Sequence, residues 1–211
     1  MAELGNLYVI SAPSGTGKTT LVKSLVETLP DITVSVSHTT RPKRPAEIDG
    51  VNYYFVPENK FQEMINHHDF LEYATVFNYH YGTSKRWVEQ TLARGIDVIL
   101  EIEWQGCLQI QKLFPNCISI YILPPSVSDL FQRLTKRNQD NMEVIRQRIA
   151  DVRETTHHIG EYDYVVVNDD FAAALNDLTV IVQAGRLLQE RQIAKHIKLL
   201  TQLETAKLDE F

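Results

Sequence analysis

A short glycine-containing loop near the N-terminus constrains the fold of this chain more than any other feature. The loop, residues 12–17, follows a short apolar run that contains β-branched residues, and it precedes apolar positions that recur at helical spacing between Leu21 and Leu29. This pattern predicts a buried strand, a tight turn and an amphipathic helix. A chain with this order is typical of an α/β protein.

The same loop has the composition of a phosphate-binding site. Gly15 and Gly17 let backbone N–H groups point inward at an anion, and the helix N-terminus that follows favours negative charge. Lys18 supplies a positive charge for the β- and γ-phosphates, and the Thr19 hydroxyl is placed to bind Mg²⁺. Ala12 stands where the first glycine of the usual pattern lies. The sequence therefore predicts a site for a nucleoside triphosphate rather than a glycine-rich hairpin.

Composition and charge narrow the classes of function that are open to the chain. Hydrophobic residues make up 44% of the sequence, which argues against disorder, and no apolar run approaches the roughly 20 residues of a membrane span. A net charge of −6 argues against a protein that binds nucleic acids or anionic membranes in general. The N-terminus lacks the basic region of a signal peptide, and the only cysteines are Cys107 and Cys117. We therefore expect a cytoplasmic protein without a disulfide framework.

Strand-like and helix-like segments alternate along the rest of the chain, which predicts a parallel sheet with helices on both faces. The apolar runs that predict further strands are residues 33–36, 97–102, 118–123 and 164–167. Two excursions interrupt the alternation. Residues 37–83 are polar, aromatic and broken by prolines, and they predict a small β-rich insert. Residues 134–158 combine a polar break with an arginine-bearing helix and predict a lid over the carboxyl ends of the strands.

Several motifs, taken together, resemble the guanylate kinase family of P-loop nucleoside monophosphate kinases. They occur in the order SAPSGTGKTT, SVSHTTRPKR, DGVNYYF, FLEYA, YGT, LEIEWQG, PPSVSDL and VVVNDD. The resemblance implies a P-loop core (1–36, 84–133 and 159–211), a GMP-binding insert (37–83) and a helical lid (134–158). It also implies in-line, ATP-dependent phosphorylation of GMP, and of dGMP, with ATP as co-substrate and Mg²⁺ as cofactor.

The donor site that the resemblance implies consists of the glycine loop and one residue near the last strand. Its residues are Ser14, Gly15, Thr16, Gly17, Lys18, Thr19, Thr20 and Asn168. The arginines that are candidates for stabilising charge during transfer are Arg133, Arg137, Arg146, Arg148 and Arg153. The resemblance selects Arg137 and Arg148 to act with Lys18. The resemblance implies that Asn168 lies near the adenine of ATP, but its side chain could equally cap the next helix together with Asp169.

The insert holds residues suited to a nucleoside monophosphate. The full set that the resemblance implies for GMP is Ser37, Arg41, Arg44, Tyr53, Glu72, Tyr81, Thr83, Glu101 and Glu103. Two guanidiniums and two phenols, at positions 41, 44, 53 and 81, suit a phosphate dianion. A carboxylate at Glu72 accepts hydrogen bonds from N1–H and N2–H₂ of guanine and repels N1 of adenine. Ser37 and Thr83 match the hydroxyls that complete the base contacts.

Glu101 and Glu103 are predicted to end a strand and to point to the same side of it, because side chains alternate along a strand. Next to a phosphate loop, such a pair suggests contact with a metal or with substrate. The family pattern usually has aspartate at one or both positions. Glu101 is assigned with Thr19 to the metal, directly or through water. Because each glutamate is one methylene longer than aspartate, it stays open which of the two contacts the metal and which the guanine.

Two other functions match parts of this pattern. A related kinase could use the same core on a sugar phosphate, yet Ser37, Glu72 and Thr83 are all present. A non-catalytic module of the family could bind a phosphopeptide in the acceptor cleft. Such modules usually carry a degraded P-loop, whereas the Gly-Lys-Thr of this chain is intact.

The C-terminal tail also leaves two interpretations open. Its apolar residues at helical spacing are Ile193, Ile197, Leu200 and Leu203, which predict an apolar stripe on one face of a helix. The stripe either docks on the protein's own sheet or pairs with a second copy in a homo-oligomer. We expect docking on the sheet for most of the tail and self-association through its end.

Overall fold

The computed structural model describes residues 4–76, 78–136 and 142–206. The strands in these ranges are β1 (Leu7–Ser11), β2 (Ile32–Val34), β3 (His38–Thr39), β4 (Tyr54–Phe55), β5 (Phe70–Val76), β6 (Tyr79–Ser84), β7 (Asp97–Glu101), β8 (Ile118–Leu123) and β9 (Tyr164–Val167). The helices are α1 (Lys18–Thr28), α2 (Glu58–Asn66), α3 (Lys85–Leu92), α4 (Trp104–Leu113), α5 (Val127–Lys136), α6 (Met142–Thr156), α7 (Phe171–Arg186), α8 (Gln189–Lys195) and α9 (Ile197–Thr205). A short 3₁₀ helix over Ile159–Glu161 precedes β9.

Five strands form a parallel sheet in the order β2-β7-β1-β8-β9. The central strand β1 pairs with β7 on one side and with β8 on the other, so that Ile10 lies opposite both Glu101 and Ile120. The carboxyl ends of these three strands therefore meet at one edge of the sheet. This arrangement confirms the predicted fold class, a parallel α/β sheet.

Both faces of the sheet are covered, which explains why its strands are apolar at nearly every position. On β1, Tyr8 and Ile10 pack in one cluster with residues of α1 and α7, whereas Leu7 and Val9 pack in another with residues of α3 and α4. Cys107 belongs to the second cluster, together with Cys117, and both thiols are free. Burial raises the pKa of Cys107 to about 12 and that of Cys117 to about 11, as expected for thiols that serve as core packing.

The insert has a sheet of its own, in the order β4-β3-β6-β5. Strands β5 and β6 form an antiparallel hairpin, and α2 packs Phe61 against Phe70 of that hairpin, with ring centroids 4.5 Å apart. In the second excursion, Leu134 and Ile145 share a small apolar cluster with Leu130, which lies just before the excursion on α5. The insert thus has an apolar cluster of its own, whereas the second excursion packs on a residue of the core.

The predicted placement of Glu101 and Glu103 on one strand is wrong. Strand β7 ends at Glu101, and Glu103 is the N-cap residue of α4, where its carbonyl accepts a hydrogen bond from Cys107 N at 3.0 Å. The strand pairing of β7 thus stops two residues before Glu103, and α4 begins directly after it at Trp104, so the two glutamates belong to different elements.

The predicted stripe on the C-terminal tail is also interrupted. The chain breaks between α8 and α9 at His196, so Ile193 lies on a different helix from Ile197, Leu200 and Leu203. Ile197 and Leu203 are 47% and 65% exposed. None of the four belongs to the core clusters on the sheet, so the expected docking is not observed; Ile193, Ile197 and Leu203 face outward and Leu200 is half-buried.

Among the described residues, no single helix has both the length and the apolar character needed to span a membrane. Helices α7 and α8 meet that criterion only as a pair, by length and composition, and they are bent by 58° at their junction. Helix α7 buries Ala174, Leu178 and Val182 in the core cluster on one face of the sheet. Its apolar side is thus part of the protein core.

A buried carboxylate joins α7 and α8 to the amino end of the sheet. Asp97 is 0% exposed, and Arg186 Nε lies 2.7 Å from its Oδ2 while Arg191 Nη1 lies 2.5 Å from its Oδ1. The backbone N–H of Asn6 donates to the same carboxylate at 2.7 Å. A charge in such a place is stable only when it is paired and hydrogen-bonded, and here both conditions are met.

Replacing this carboxylate should destabilise the fold. Asp97→Asn leaves two guanidiniums without the charge they surround, and we expect the free energy of unfolding to fall by about 3 kcal/mol or more. Chemical denaturation measures the change. Asp177→Asn, at an exposed position of α7, is the matched control and should stay within about 0.5 kcal/mol of the unmodified chain. Equal stability of the two variants would contradict the role given to Asp97.

Candidate active site

The glycine loop between β1 and α1 has the backbone conformation of an anion cradle. Gly15 and Gly17 have φ values of +96° and +95°, in the left-handed region that side chains disfavour. Gly17 is the N-cap residue of α1, and Lys18 and Thr19 occupy the first turn of this helix. The loop is closed internally, since the Thr16 hydroxyl donates to the Pro13 carbonyl at 2.9 Å. Its orphan amides and the helix N-terminus are thus available at the carboxyl edge of the sheet.

Two side chains from distant parts of the chain hold this loop in place. Asn168 Nδ2 donates to the Thr16 carbonyl at 2.6 Å, and Arg133 Nη1 donates to the same carbonyl at 3.2 Å. Arg133 Nη2 also donates to the Asn168 carbonyl at 3.1 Å, which connects the two. Arg133, one of the candidates for charge stabilisation, therefore directs these donors to backbone carbonyls of the loop and its neighbour.

The capping role considered for Asn168 is wrong. The N-cap residue of α7 is Asp170, whose carboxylate accepts from Ala173 N at 2.8 Å. Asn168 is buried beside the loop, and a Cβ at Gly17 would lie only 2.6 Å from its Nδ2. Gly17 thus serves two purposes, the left-handed turn and the close approach of Asn168.

A cavity of about 450 Å³ adjoins the outer side of the loop. The residues that line it include Gly15, Gly17, Thr20, Arg133, Asn168 and Phe171. Backbone amides, a hydroxyl, a guanidinium and an aromatic ring are groups that can bind the phosphates, the sugar and the base of a nucleotide. Of the expected donor residues, Gly15, Gly17, Thr20 and Asn168 therefore lie around this cavity.

Three of the four residues expected to bind an acceptor phosphate form a cluster in the insert. The Arg41 guanidinium lies 5.5 Å from the centre of the Tyr53 ring, and the Tyr53 and Tyr81 rings meet edge-on at 5.8 Å. Burial, together with the nearby Tyr81 and Glu101, raises the pKa of Tyr53 to about 12, so its hydroxyl stays a hydrogen-bond donor. The side chain of Arg44 is exposed at the rim of the cluster.

Glu47 is an unpredicted member of this cluster. Its Oε1 lies 2.6 Å from Arg41 Nη2, and its Oε2 accepts from the backbone N–H of Arg44 at 2.8 Å. Partial burial acts to raise the pKa of Glu47, but these two hydrogen bonds outweigh it and the pKa is lowered. The carboxylate thus sits on the guanidinium as an acceptor phosphate would. An acidic residue three positions after Arg44 was the available sequence signal.

A buried carboxylate lies deeper in the insert. Glu72 is 3% exposed, and the Thr83 hydroxyl donates to its Oε1 at 2.6 Å. The register of β5 on β6 shifts between Phe70 and Glu72, and Glu72 thereby comes opposite Thr83. Burial raises the pKa of Glu72 to about 7, although the hydrogen bonds from Thr83 act in the opposite direction. Ser37 directly precedes β3, the strand that pairs with β6, so it lies at the end of a strand next to the one that carries Thr83.

A second cavity, of about 210 Å³, lies between the loop, the insert and the lid. Its lining includes Ser14, Thr75, Glu103 and Arg148. Arg148 Nη1 donates to Ser14 Oγ at 2.6 Å, so α6 reaches the phosphate loop directly. Arg137, the other arginine selected from the lid, lies outside the described residues.

Glu101, at the end of β7, and Glu103, two residues later, have different surroundings. Glu101 lies near Tyr53 of the insert, and its Oε1 is buried with no hydrogen-bond partner among the described residues. Glu103 instead lines the cavity that Ser14 and Arg148 share. The two carboxylates thus face different parts of the site, Glu101 the insert and Glu103 the cavity beside the loop.

The oxygen ligands expected for Mg²⁺ fit a hard cation. Thr19 is exposed in the first turn of α1, and Glu101 carries a buried carboxylate oxygen that lacks a hydrogen bond within the described part of the chain. Across residues 4–76, 78–136 and 142–206, no group of three or more His, Cys, Asp or Glu is placed to hold a metal. Mg²⁺ in kinases commonly uses one or two protein oxygens together with substrate phosphates, which agrees with this sparse set.

Comparison with known proteins gives one consistent family. The guanylate kinase family model matches residues 4–185. Guanylate kinase from Pseudomonas fluorescens is 54% identical over 199 residues, which cover 94% of this chain and 97% of the relative. Guanylate kinase from Coxiella burnetii is 52% identical over 198 residues, which cover 94% of this chain and 96% of the relative.

A solved structure agrees with these relatives. The crystal structure of guanylate kinase from Anaplasma phagocytophilum superposes with a TM-score of 0.76 at 30% identity, and it covers 90% of each chain. The family model spans the glycine loop, the insert with Glu72 and Thr83, the lid and Asn168. On its motifs, its fold and its relatives, this chain belongs to the guanylate kinase family.

Proposed function

We infer that this chain, as a guanylate kinase, catalyses the ATP-dependent phosphorylation of GMP to GDP. The observation that carries this inference is the position of α4 between two sites. Its first turn, at Gln105, lines the cavity that the P-loop residue Ser14 also lines. The next residue, Gly106, abuts the buried carboxylate of Glu72. A base-reading carboxylate and a phosphate loop thus border one helix end, as transfer between two nucleotides requires.

We propose that Glu72, Thr83 and Ser37 read the guanine base. Guanine presents two donors, N1–H and N2–H₂, on the edge where adenine presents an acceptor at N1. The Glu72 carboxylate can accept from both guanine groups, and Thr83 already orients it through the 2.6 Å hydrogen bond. A site of this kind rejects the wrong base because its buried polar groups would be left unpaired.

Arg41, Arg44, Tyr53 and Tyr81 bind the phosphate of GMP. Arg41 is paired with Glu47 at 2.6 Å, so a phosphate would meet a guanidinium that is already oriented. Two guanidinium groups and two phenol donors suit a phosphate dianion. The raised pKa of Tyr53 keeps its hydroxyl protonated, so that it can donate a hydrogen bond. Glu101, with its oxygen near Tyr53, faces this acceptor side.

ATP occupies the other side of the P-loop. Its phosphates lie on the amides of the loop, whose residues are Ser14, Gly15, Thr16, Gly17, Lys18, Thr19 and Thr20. Asn168 acts here chiefly by holding the Thr16 carbonyl, with Arg133 as its partner. The aromatic ring of Phe171 at the cavity wall provides an apolar surface for the adenine.

Transfer of the γ-phosphoryl group needs no general base, because the acceptor is a phosphate oxygen that is ionised at neutral pH. Lys18 neutralises charge on the β- and γ-phosphates, and Arg137 and Arg148 do so from the lid. Thr19 and Glu101 would hold Mg²⁺, directly or through water, and the ion would supply further charge neutralisation. In-line positioning of the two nucleotides then accounts for catalysis.

The three parts of the chain follow from these roles. The core comprises residues 1–36, 84–133 and 159–211, the GMP-binding insert residues 37–83, and the lid residues 134–158. Closure of insert and lid over the nucleotides excludes water, which would otherwise accept the phosphoryl group. The hydrogen bond from Arg148 to Ser14 supports such contact between the lid and the P-loop. We further propose that dGMP is a substrate, that the enzyme acts in the cytoplasm, and that neither nucleic acid nor a membrane is a partner.

The function is tested by the choice of acceptor and by Lys18. We expect ADP formation from ATP with GMP, and none with AMP, UMP or a phosphopeptide. Lys18→Ala should lower kcat with GMP by on the order of 10²-fold or more, with a smaller change in KM, since its charge acts most on the transition state. Equal rates with GMP and AMP would contradict the guanine assignment. A variant that keeps most of its kcat would contradict the role of Lys18.

The pKa of Glu72 predicts a dependence of stability on pH. Its pKa is raised from 4.5 to about 7 in the folded chain, so the folded state holds a proton that the unfolded state has lost between these values. Stability contributed by this group is therefore lost as pH rises through that window, by about 3 kcal/mol in total. Glu72→Gln carries no such proton. Between pH 4.5 and pH 8 its unfolding free energy should therefore rise relative to that of the unmodified chain.

Denaturant titrations of both proteins across this pH range measure the effect, and the other carboxylates cancel in the difference. Saturating GMP should shrink the pH dependence of the unmodified chain, because guanine N–H donors stabilise the ionised carboxylate. A difference in unfolding free energy that does not change with pH would contradict the burial of an ionisable Glu72.

We propose that α9 takes part in a homo-oligomer. Its Ile197 and Leu203 are 47% and 65% exposed, and a second copy would cover them. Light scattering should give fewer chains per particle for a chain that ends at His196 than for the full chain. That cut keeps Arg191 and its contact with Asp97. Ile197→Ser in the full chain is a milder version of the same change. If both variants keep the number of chains per particle of the unmodified protein, α9 is rejected as the contact.

A further inference from the structure

Gly106 lies in the first turn of α4 and has no room for a side chain. A Cβ at this position would lie 2.6 Å from Glu72 Oε2, 3.2 Å from Glu72 Cδ and 3.1 Å from Ile102 Cδ1. The first of these distances is far below van der Waals contact. Gly160, in contrast, has no heavy atom within 4 Å of the corresponding point.

The backbone itself gives no reason for a glycine at this position. The glycines with positive φ are Gly15, Gly17, Gly50 and Gly95 within the described residues, so Gly106 is not among them. A glycine inside a helix destabilises that helix relative to alanine by roughly 0.5–1 kcal/mol. The contact with Glu72 is thus the feature that accounts for the missing side chain.

Both oxygens of the Glu72 carboxylate are therefore confined. Oε1 accepts from the Thr83 hydroxyl at 2.6 Å, and Oε2 lies against the first turn of α4. The helical hydrogen bonds of α4 begin with Cys107 N donating to the Glu103 carbonyl, so the preceding amides lie outside this ladder. The N-terminal turn of a helix favours a nearby negative charge.

We propose that Gly106 is a positioning residue that sets base specificity by letting α4 close onto the Glu72 carboxylate, an inference that rests on the proposed role of Glu72 in reading guanine. The absence of a side chain fixes how far the carboxylate stands from α4 and hence where it meets the guanine edge. A methyl group at this position would push the carboxylate by roughly an ångström. The fold tolerates such a shift because the atoms that must move are at the far end of a side chain and not in the backbone, but base recognition does not.

The first experiment compares Gly106→Ala with Gly160→Ala in steady-state kinetics. Gly106→Ala should raise KM for GMP by about 10- to 100-fold, since a misplacement of about 1 Å in a site can have an effect of this size. Its KM for ATP and its kcat at saturating GMP should stay within about threefold, and its preference for GMP over AMP should fall. Gly160→Ala should change none of these values. An unchanged KM for GMP in Gly106→Ala would overturn the proposal.

A double-mutant cycle tests whether Gly106 acts through Glu72. In a Glu72→Ala background the carboxylate is absent, so adding Gly106→Ala should change KM for GMP by less than about twofold. Effects of the two substitutions that multiply would overturn the proposal, because they would mean that the methyl group acts elsewhere in the site.

The same cycle separates this inference from the proposed function. If Glu72→Ala leaves KM for GMP unchanged, the assignment of Glu72 to guanine fails, and the inference about Gly106 fails with it. If Glu72→Ala raises KM but Gly106→Ala does not, only the inference about Gly106 is overturned.

A third variant covers the case in which Gly106→Ala folds poorly. Glu72→Asp shortens the side chain by one methylene and withdraws its oxygens from α4. Combined with Gly106→Ala, it should restore the thermal unfolding midpoint and give a KM for GMP no higher than that of Glu72→Asp alone. A double variant that remains as unstable as Gly106→Ala would overturn the proposal, since the methyl group would then clash with something other than Glu72.

Discussion

The pairing of β1 with β7 and β8 is the constraint on which the rest of this structure depends. Because β1 is buried on both faces and central in the sheet, its carboxyl end is the best-defined point of the fold, and the phosphate loop begins there. The parallel register brings Ile10 opposite Glu101, so the end of β7 reaches the same edge. A loop that must present backbone amides to an anion needs such a rigid base, since small errors in position weaken charge stabilisation. Asn168 and Arg133 add a second support through the Thr16 carbonyl.

Helix α4 links this rigid edge to the insert. Its first turn borders the cavity beside the P-loop and contacts Glu72 at Gly106. One turn later, Gln109 accepts from Tyr73 N at 3.3 Å and donates to the Tyr73 carbonyl at 2.9 Å, so an amide side chain continues the pairing of β5 onto the core. The Glu72 carboxylate is therefore fixed relative to the sheet by contacts on both sides. Arg41 and Arg44, by contrast, lie on the outer loop of the insert, where Glu47 holds Arg41.

Two carboxylates with guanidinium partners, Asp97 and Glu47, differ in how deeply they are buried. Asp97 is enclosed by Arg186 and Arg191 at the amino end of the sheet, far from the carboxyl edge, and its removal acts on stability. Glu47 pairs with Arg41 in a loop of the insert, where the two side chains keep some contact with solvent, at 15% and 12% exposed. The first pair anchors helices, and the second orders the loop around Arg41.

The sequence by itself determined the features that depend on local chemistry. Strand and helix periodicity, the left-handed glycines of the loop and the order of the motifs were enough for the α/β fold and for the family. What only the tertiary structure decided involves residues far apart in the chain, because no local pattern encodes their meeting. Asn168 holds Thr16 instead of capping α7, and Glu103 starts α4 instead of continuing β7. The guanidiniums that neutralise Asp97 come from about ninety residues away. The contact of Gly106 with Glu72 arises only once the insert packs on α4.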